Sequence, residues 1–261
     1  MPIHFLVQGD SYQIAGLWSS RLHLFGVDEP DVVLLMGSDD YGRDQFSRFL
    51  WGAQISLSSG PLAALLALAI GACLGAISGM SGRLADDILM SVAELFLALP
   101  WFYLLLGVRA ILPLNLDPGH SFLVIVCLLG AIGWARPARL VRGVILSARE
   151  REYVLAARGF GASNWYLLRR HVLPQARGVL GTQAALLIPQ YILAEITMSF
   201  LGLGVNEPAV SWGLMLGSLQ QYSSLVGRWW LWIPAVLIVP VVFAYYSLAA
   251  ALGGVDPPQN P

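Results

Sequence analysis

The sequence predicts an all-α, polytopic membrane protein, and three observations carry this. Hydrophobic residues make up 57% of the 261 residues and charged residues only 12%, about half the charged share of an ordinary soluble domain. Five runs are free or nearly free of charge, and a helix needs about 20 apolar residues to cross a bilayer core of about 30 Å. Within them apolar residues are continuous, as in Leu62-Ala-Ala-Leu-Leu-Ala-Leu-Ala-Ile70, not alternating as in the strands of a membrane barrel. A helix satisfies its own backbone polar groups in lipid, so five spanning helices are expected.

Taken in order, residues 1–54 form an N-terminal segment with seven acids and three arginines. Residues 55–255 form the membrane domain, with spans expected at 55–82, 88–108, 118–135, 178–205 and 229–255, and residues 256–261 form a tail. In the first span Gly71, Gly75 and Gly79 recur four apart, which puts them on one helical face and lets a neighbouring helix approach closely. Between the third and fourth spans, residues 136–177 hold nine of the fifteen basic residues against two acids. Positive loops remain in the cytoplasm. That places the Arg83 turn and the 256–261 tail inside, and the Asn115 region, residues 201–228 and residues 1–54 outside. Met1-Pro-Ile-His has neither the basic start nor the apolar core of an export signal. The expectation is therefore that a further spanning helix before Met1 is missing from this chain; a sixth helix would put both ends in the cytoplasm.

Several chemistries are excluded by composition. The chain has no lysine, so it has no Walker A loop and no Schiff-base amine. Its four histidines are scattered without zinc-ligand spacing. Cys73 and Cys127 fall in the middle of expected spans and read as small apolar packing residues. Hydrolysis of ATP would have to occur on another chain.

The 136–177 loop reads as two short helices meeting at a glycine turn. Ser147 with Glu150 fits a capping box and predicts a helix through Glu152, Leu155, Ala156 and Ala157. Gly159 and Gly161 would stop it, and Ser163 would cap a second helix from Asn164 to about Val172, before Pro174 introduces the next span. Ala156 and Ala157 remove bulk, and Tyr153, Leu155 and Phe160 supply apolar anchors for docking into a groove of another protein. An amphipathic helix lying on anionic lipid fits the same residues equally well.

The stretch Leu155-Ala-Ala-Arg-Gly-Phe-Gly161, nine residues, then His171-Val-Leu-Pro174 resembles the EAA loop of ABC-importer permease subunits. Leu155 stands at that family's Glu and His171 at its Ile. Glu152 and Arg170-His171-Val-Leu-Pro174 are similar to the dipeptide, oligopeptide and nickel (DppC/OppC-like) branch. So are the GRD signature from Gly37 to Leu57, Glu195-Ile-Thr-Met-Ser-Phe-Leu-Gly-Leu-Gly204, and Pro208-Ala-Val-Ser-Trp-Gly213. Members of that branch have six spans. The resemblance implies a permease subunit in a bacterial or archaeal inner membrane, moving peptides, or nickel or another small solute, inward. It implies a second permease subunit, two cytoplasmic ATPase subunits carrying ATP and Mg, and an extracytoplasmic substrate-binding protein, with no cofactor in this chain. Glu152, Tyr153, Leu155, Ala156, Ala157, Gly161, Leu173 and Pro174 are then the expected ATPase-coupling residues.

Glu94 and Glu195 lie within expected spans, where an acid costs roughly 2.5 to 3.5 kcal/mol. Each is a candidate to line the pathway or to fix packing through hydrogen bonds. Pro100, Pro189, Pro234 and Pro240 are candidate kinks, and Trp229, Trp230 and Trp232 form an interfacial anchor. Two readings of other classes remain: an intramembrane hydrolase, for which no Ser/His/Asp arrangement falls within the spans, and a degenerate subunit that assembles without transporting, motivated by Leu155.

Overall fold

The computed structural model describes residues 4–14, 18–27, 34–39, 41–113, 116–220 and 228–253. The expected 256–261 tail and the Asn115 position lie outside them. The chain divides into two compact units, residues 1–47 and 48–261.

The first unit departs from the all-helical expectation. Strands β1 (His4–Ile14) and β2 (Trp18–Gly26) form an antiparallel hairpin pairing His4 with Gly26 and Ile14 with Trp18, with a shift of register between Gln8 and Tyr12. After it, the GRD signature folds into a tight turn. Asp39 Oδ1 accepts the N–H groups of Tyr41 and Arg43, each at 2.9 Å, and Oδ2 accepts from the Arg43 guanidinium at 2.6 Å. Burial alone would raise the Asp39 carboxyl, but these hydrogen bonds and the Arg43 charge outweigh it and hold the group below the usual carboxylate range. Asp44 then caps helix α1, accepting from the N–H groups of Phe46 and Ser47 at 3.1 Å.

In the second unit, α1 (Gln45–Met80), which begins three residues before the boundary, is followed by α2 (Arg83–Ala98), α3 (Trp101–Ile111), α4 (Pro118–Gly133), α5 (Ala135–Arg149) and α6 (Glu152–Gly159). Next come α7 (Asn164–Leu167), α8 (Arg177–Phe200), α9 (Trp212–Gly217) and α10 (Ile233–Gly253). Among the described residues three helical stretches are long and apolar enough to cross a membrane: α1, residues 164–200 and residues 229–248. Two bent pairs bring the candidate spans to five. The expected span 88–108 is one of them: α2 and α3 meet at 89° across Leu99 and Pro100. Proline has no N–H and clashes with the preceding turn, so the helix stops and restarts. The expected span 118–135 is the other, bending by 43° at Trp134 and continuing as α5.

That continuation corrects the reading of 136–177 as one loop. Its first third is a helix packed on α1 and α2. Gly71, Gly75 and Gly79 form the contact as expected: a Cβ on Gly71 would lie 2.6 Å from Pro137 Cβ, on Gly75 2.5 Å from the Ala138 carbonyl oxygen, and on Gly79 2.7 Å from Ile145. Three of the loop's arginines are spent on this packing. Arg142 grips Asp86 with two bonds of 2.5 Å, Arg139 pairs with Glu94 at 2.9 Å, and Arg149 donates to the Gly79 carbonyl at 2.6 Å. Gly75→Val forces α1 and α5 apart and should destabilise the protein by about 1–3 kcal/mol. Gly143→Ala, which meets open space on α5, should be neutral or slightly stabilising. Thermal unfolding of the purified membrane complex checks both, and equal midpoints would refute the close-packing role.

Two further expectations are corrected. Ser147 does not start the short helix: it lies inside α5, and α6 begins after Arg151 with no side-chain cap. Packing on α1 carries α5 through the capping-box pattern. Cys73 and Cys127 are exposed on this chain rather than packed inside it, because an intramembrane helix is apolar on its outer face as well as its inner one.

The main core joins α1, α3, α4 and α8 around Ala63, Ala67, Leu105, Ile125, Leu129 and Met198. From α7 into α8 the chain remains helical by changing pitch, through a π-helical turn at Leu168–Val172 and a 3-10 turn at Leu173–Ala176. Pro174 explains the change, since it cannot donate to the carbonyl four residues back and the helix must rewind around that gap.

Candidate functional site

α6, the turn after it and α7 form the candidate docking tip. Val154 is buried and fixes α6 to the body, whereas Tyr153, Leu155 and Phe160 are exposed, Phe160 to 95%. Trp165 and Tyr166 extend the apolar surface onto α7; they were not among the residues singled out from sequence, although their position just after the Ser163 cap was the available signal. Ser163 caps α7 as expected, accepting the Tyr166 N–H at 3.3 Å.

Gly161 closes α6 at φ +86°. The Ala162 N–H reaches the Ala157 carbonyl at 3.1 Å and the Gly161 N–H reaches the Arg158 carbonyl at 2.9 Å, the two bonds of a Schellman stop. His171 sits against Tyr153 and Tyr166, with ring centroids 6.0 and 5.6 Å away. Gln175 bonds both the Tyr153 hydroxyl and the His171 carbonyl. These contacts tie α6 to the chain entering α8. Ala156 is exposed, Ala157 is half-buried, and Leu173 lines a groove with Trp165, Leu168 and Met80. Pro174 lies in the 3-10 turn behind them.

The second polar centre is Glu195. It is fully buried, and its Oε1 accepts the Ser199 hydroxyl at 2.7 Å. The Ser56 and Ser211 hydroxyls lie beside the same carboxyl, whose Oε2 makes no hydrogen bond of ordinary geometry. Each serine also accepts a backbone N–H: Ser199 from Val205 at 3.3 Å, Ser56 from Trp212 at 3.1 Å and Ser211 from Leu214 at 3.1 Å. Trp212 stacks on Phe49 at 5.0 Å and donates its indole N–H to the Phe49 carbonyl. A Cβ at Gly213 would overlap the Ile196 carbonyl. One buried acid thus gathers α1, α8 and the segment leading into α9. Sequence reasoning found the acid but not its serines, which are scattered along the chain.

Glu94, the other intramembrane candidate, is exposed on this chain and paired with Arg139. Arg109, not singled out before, is fully buried in α3, where one nitrogen donates to the Pro113 carbonyl at 3.0 Å.

A model of the family described as binding-protein-dependent transport system inner membrane component matches residues 71–253. The chain is 38% identical over 217 residues to the dipeptide transport system permease protein DppC of Bacillus subtilis (strain 168), covering 83% of this chain and 66% of that protein. It is 38% identical over 231 residues to the oligopeptide transport system permease protein OppC of the same strain, covering 87% and 72%. The chain thus spans 66% and 72% of the lengths of these two relatives. Among solved structures, an amino acid ABC transporter described with histidines is similar with a TM-score of 0.55 at 17% identity, over 80% of this chain and 94% of that one. The inward-facing methionine transporter MetNI is similar with a TM-score of 0.56 at 17% identity, over 79% and 97%.

Proposed function

The chain belongs to the binding-protein-dependent transport system inner membrane component family, and from that premise we propose that it is a permease subunit of a peptide importer driven by ATPase subunits docked on α6. The observation that carries this is the tip: an eight-residue helix with Tyr153, Leu155 and Phe160 exposed, ended by a Schellman stop and tied by Tyr153, His171 and Gln175 to the root of α8. Exposed aromatic and aliphatic anchors on a short helix suit a groove in a partner protein.

A second permease subunit completes the pathway, two ATPase subunits hold ATP and Mg, and an extracytoplasmic binding protein delivers the peptide. Closure of the ATPases moves the tip, and the tip shifts the spans between inward-open and outward-open populations. Leu155 offers an apolar anchor where the family carries Glu; Glu152, one turn earlier and exposed, supplies the acidic contact.

The test is co-purification from membranes with the neighbouring permease and ATPase, followed by uptake of labelled peptide in proteoliposomes with the binding protein. Assembly and ATP-dependent uptake support the reading; assembly without uptake makes this a degenerate subunit, and hydrolysis by the isolated chain makes it an enzyme. Glu152→Arg should weaken ATPase capture about fivefold to tenfold, near 1 to 1.4 kcal/mol, without changing which peptides are taken up. Unchanged capture would count against docking through α6.

A further inference from the structure

A cavity of about 220 Å³ lies where both bent spans break: Leu99 and Trp101 flank the first break and Gly133 and Arg136 the second, while Gln190 and Tyr191 reach it from α8. Interrupted helices at membrane depth are stable only where they are buried in protein or line a polar cavity, and such breaks are where membrane transporters place their solutes.

The polar groups at this cavity are unspent. Tyr191 is 2% exposed and gives the cavity the side of its ring, while its hydroxyl, without a hydrogen-bond partner among the described residues, is closed off in the space left by the missing Cβ of Gly133. Gln190 and Arg136 likewise make no hydrogen bond or ion pair among the described residues, whereas Arg139, Arg142 and Arg149 on the same helix are all engaged. Arg136 is exposed on this chain and lines the cavity, so its guanidinium is free to meet a solute there. Leu105, Leu129 and Leu187 supply an apolar wall, and among the described residues the one charged group lining the cavity is the cationic Arg136, which suits an anion.

We propose that this cavity is a subsite for the C-terminal end of the transported peptide, with the carboxylate on Arg136 and the adjoining amide on Gln190. Arginine's planar fork binds a carboxylate with two parallel bonds, and the Gln190 amide both donates to a peptide carbonyl and accepts from a peptide N–H. A few polar groups fixed in an apolar wall set orientation in the manner of small-molecule sites. The inference rests on the peptide-importer reading.

The experiment uses the assembled importer in nanodiscs without its binding protein and compares trialanine with trialanine amide. The wild type should bind trialanine more tightly than the amide. Arg136→Gln should weaken trialanine at least tenfold and leave the amide unchanged, and Gln190→Leu should weaken both about threefold. Equal loss for the two ligands in Arg136→Gln, no loss in either variant, or no trialanine binding by the wild type overturns the subsite. Inorganic phosphate that displaces trialanine as well as acetylalanine does would reduce the site to a general anion site and overturn the peptide assignment. Wild-type uptake of trialanine in proteoliposomes with the binding protein is measured in parallel: its absence overturns the importer reading itself, whereas uptake that Arg136→Gln leaves unchanged overturns the subsite alone.

Discussion

Gly161→Val should abolish peptide uptake in proteoliposomes, by at least tenfold, while ATP hydrolysis continues. Gly161 holds φ at +86° with no atom within 4 Å of a prospective Cβ, so the penalty comes from the backbone and not from a clash. A β-branched residue in that region costs about 1–3 kcal/mol. The chain avoids the cost by rotating Gly161 to negative φ, which gives up the bonds from Ala162 to Ala157 and from Gly161 to Arg158. α6 then exits at another angle, and Phe160 and Tyr166 no longer share one surface. Gly161→Asn, which tolerates the left-handed region, should retain most uptake. Equal uptake by wild type and the valine variant would remove the turn from the coupling mechanism.

Glu195→Ala should cost about 3 kcal/mol, enough to lower the yield of assembled complex and its unfolding midpoint by several degrees. The substitution leaves the Ser199 hydroxyl without its acceptor and removes the polar group beside Ser56 and Ser211 in a fully buried region, and it opens a void between α1 and α8. Glu195→Gln keeps the volume and one carbonyl acceptor and should lose less than half as much. An unchanged midpoint for the alanine variant, measured on the purified complex, would show that the serines find other partners.

What could be read in advance was local and periodic. Gly71, Gly75 and Gly79 declared a packing face because their spacing matches the helical turn, and Gly161 declared a stop because few residues adopt its conformation. Ser147 misled because a capping box is a local preference of about 1 kcal/mol, and the contacts of α5 with α1 and α2 exceed it. The 43° bend at Trp134 had its signal in Pro137, which cannot donate to the Gly133 carbonyl and crowds it, but it was not among the prolines singled out as kinks. Pro100 was visible as a kink, but a proline alone does not specify an angle as large as 89°. The Glu195 centre was hidden for a different reason: its serines are separated by 143 and 12 positions along the chain, and only folding brings them to one acid. The hairpin at the N-terminus escaped because its strands mix apolar and polar residues without strict alternation.

The pairing of α5 with its neighbours has a mechanical consequence. Its fifteen residues form a rod of about 22 Å, clamped along one side by the glycine face of α1 and by Asp86 and Glu94 of α2. Large sliding of this rod would break the Arg142–Asp86 pair and open the glycine contact with α1, so α5 is held to move with α1 and α2. Its joint to α4 is the elbow at Trp134. A stroke generated by a docked motor would therefore be felt as an opening or closing of that elbow, with α5 serving as the connecting rod and α1 and α2 moving with it.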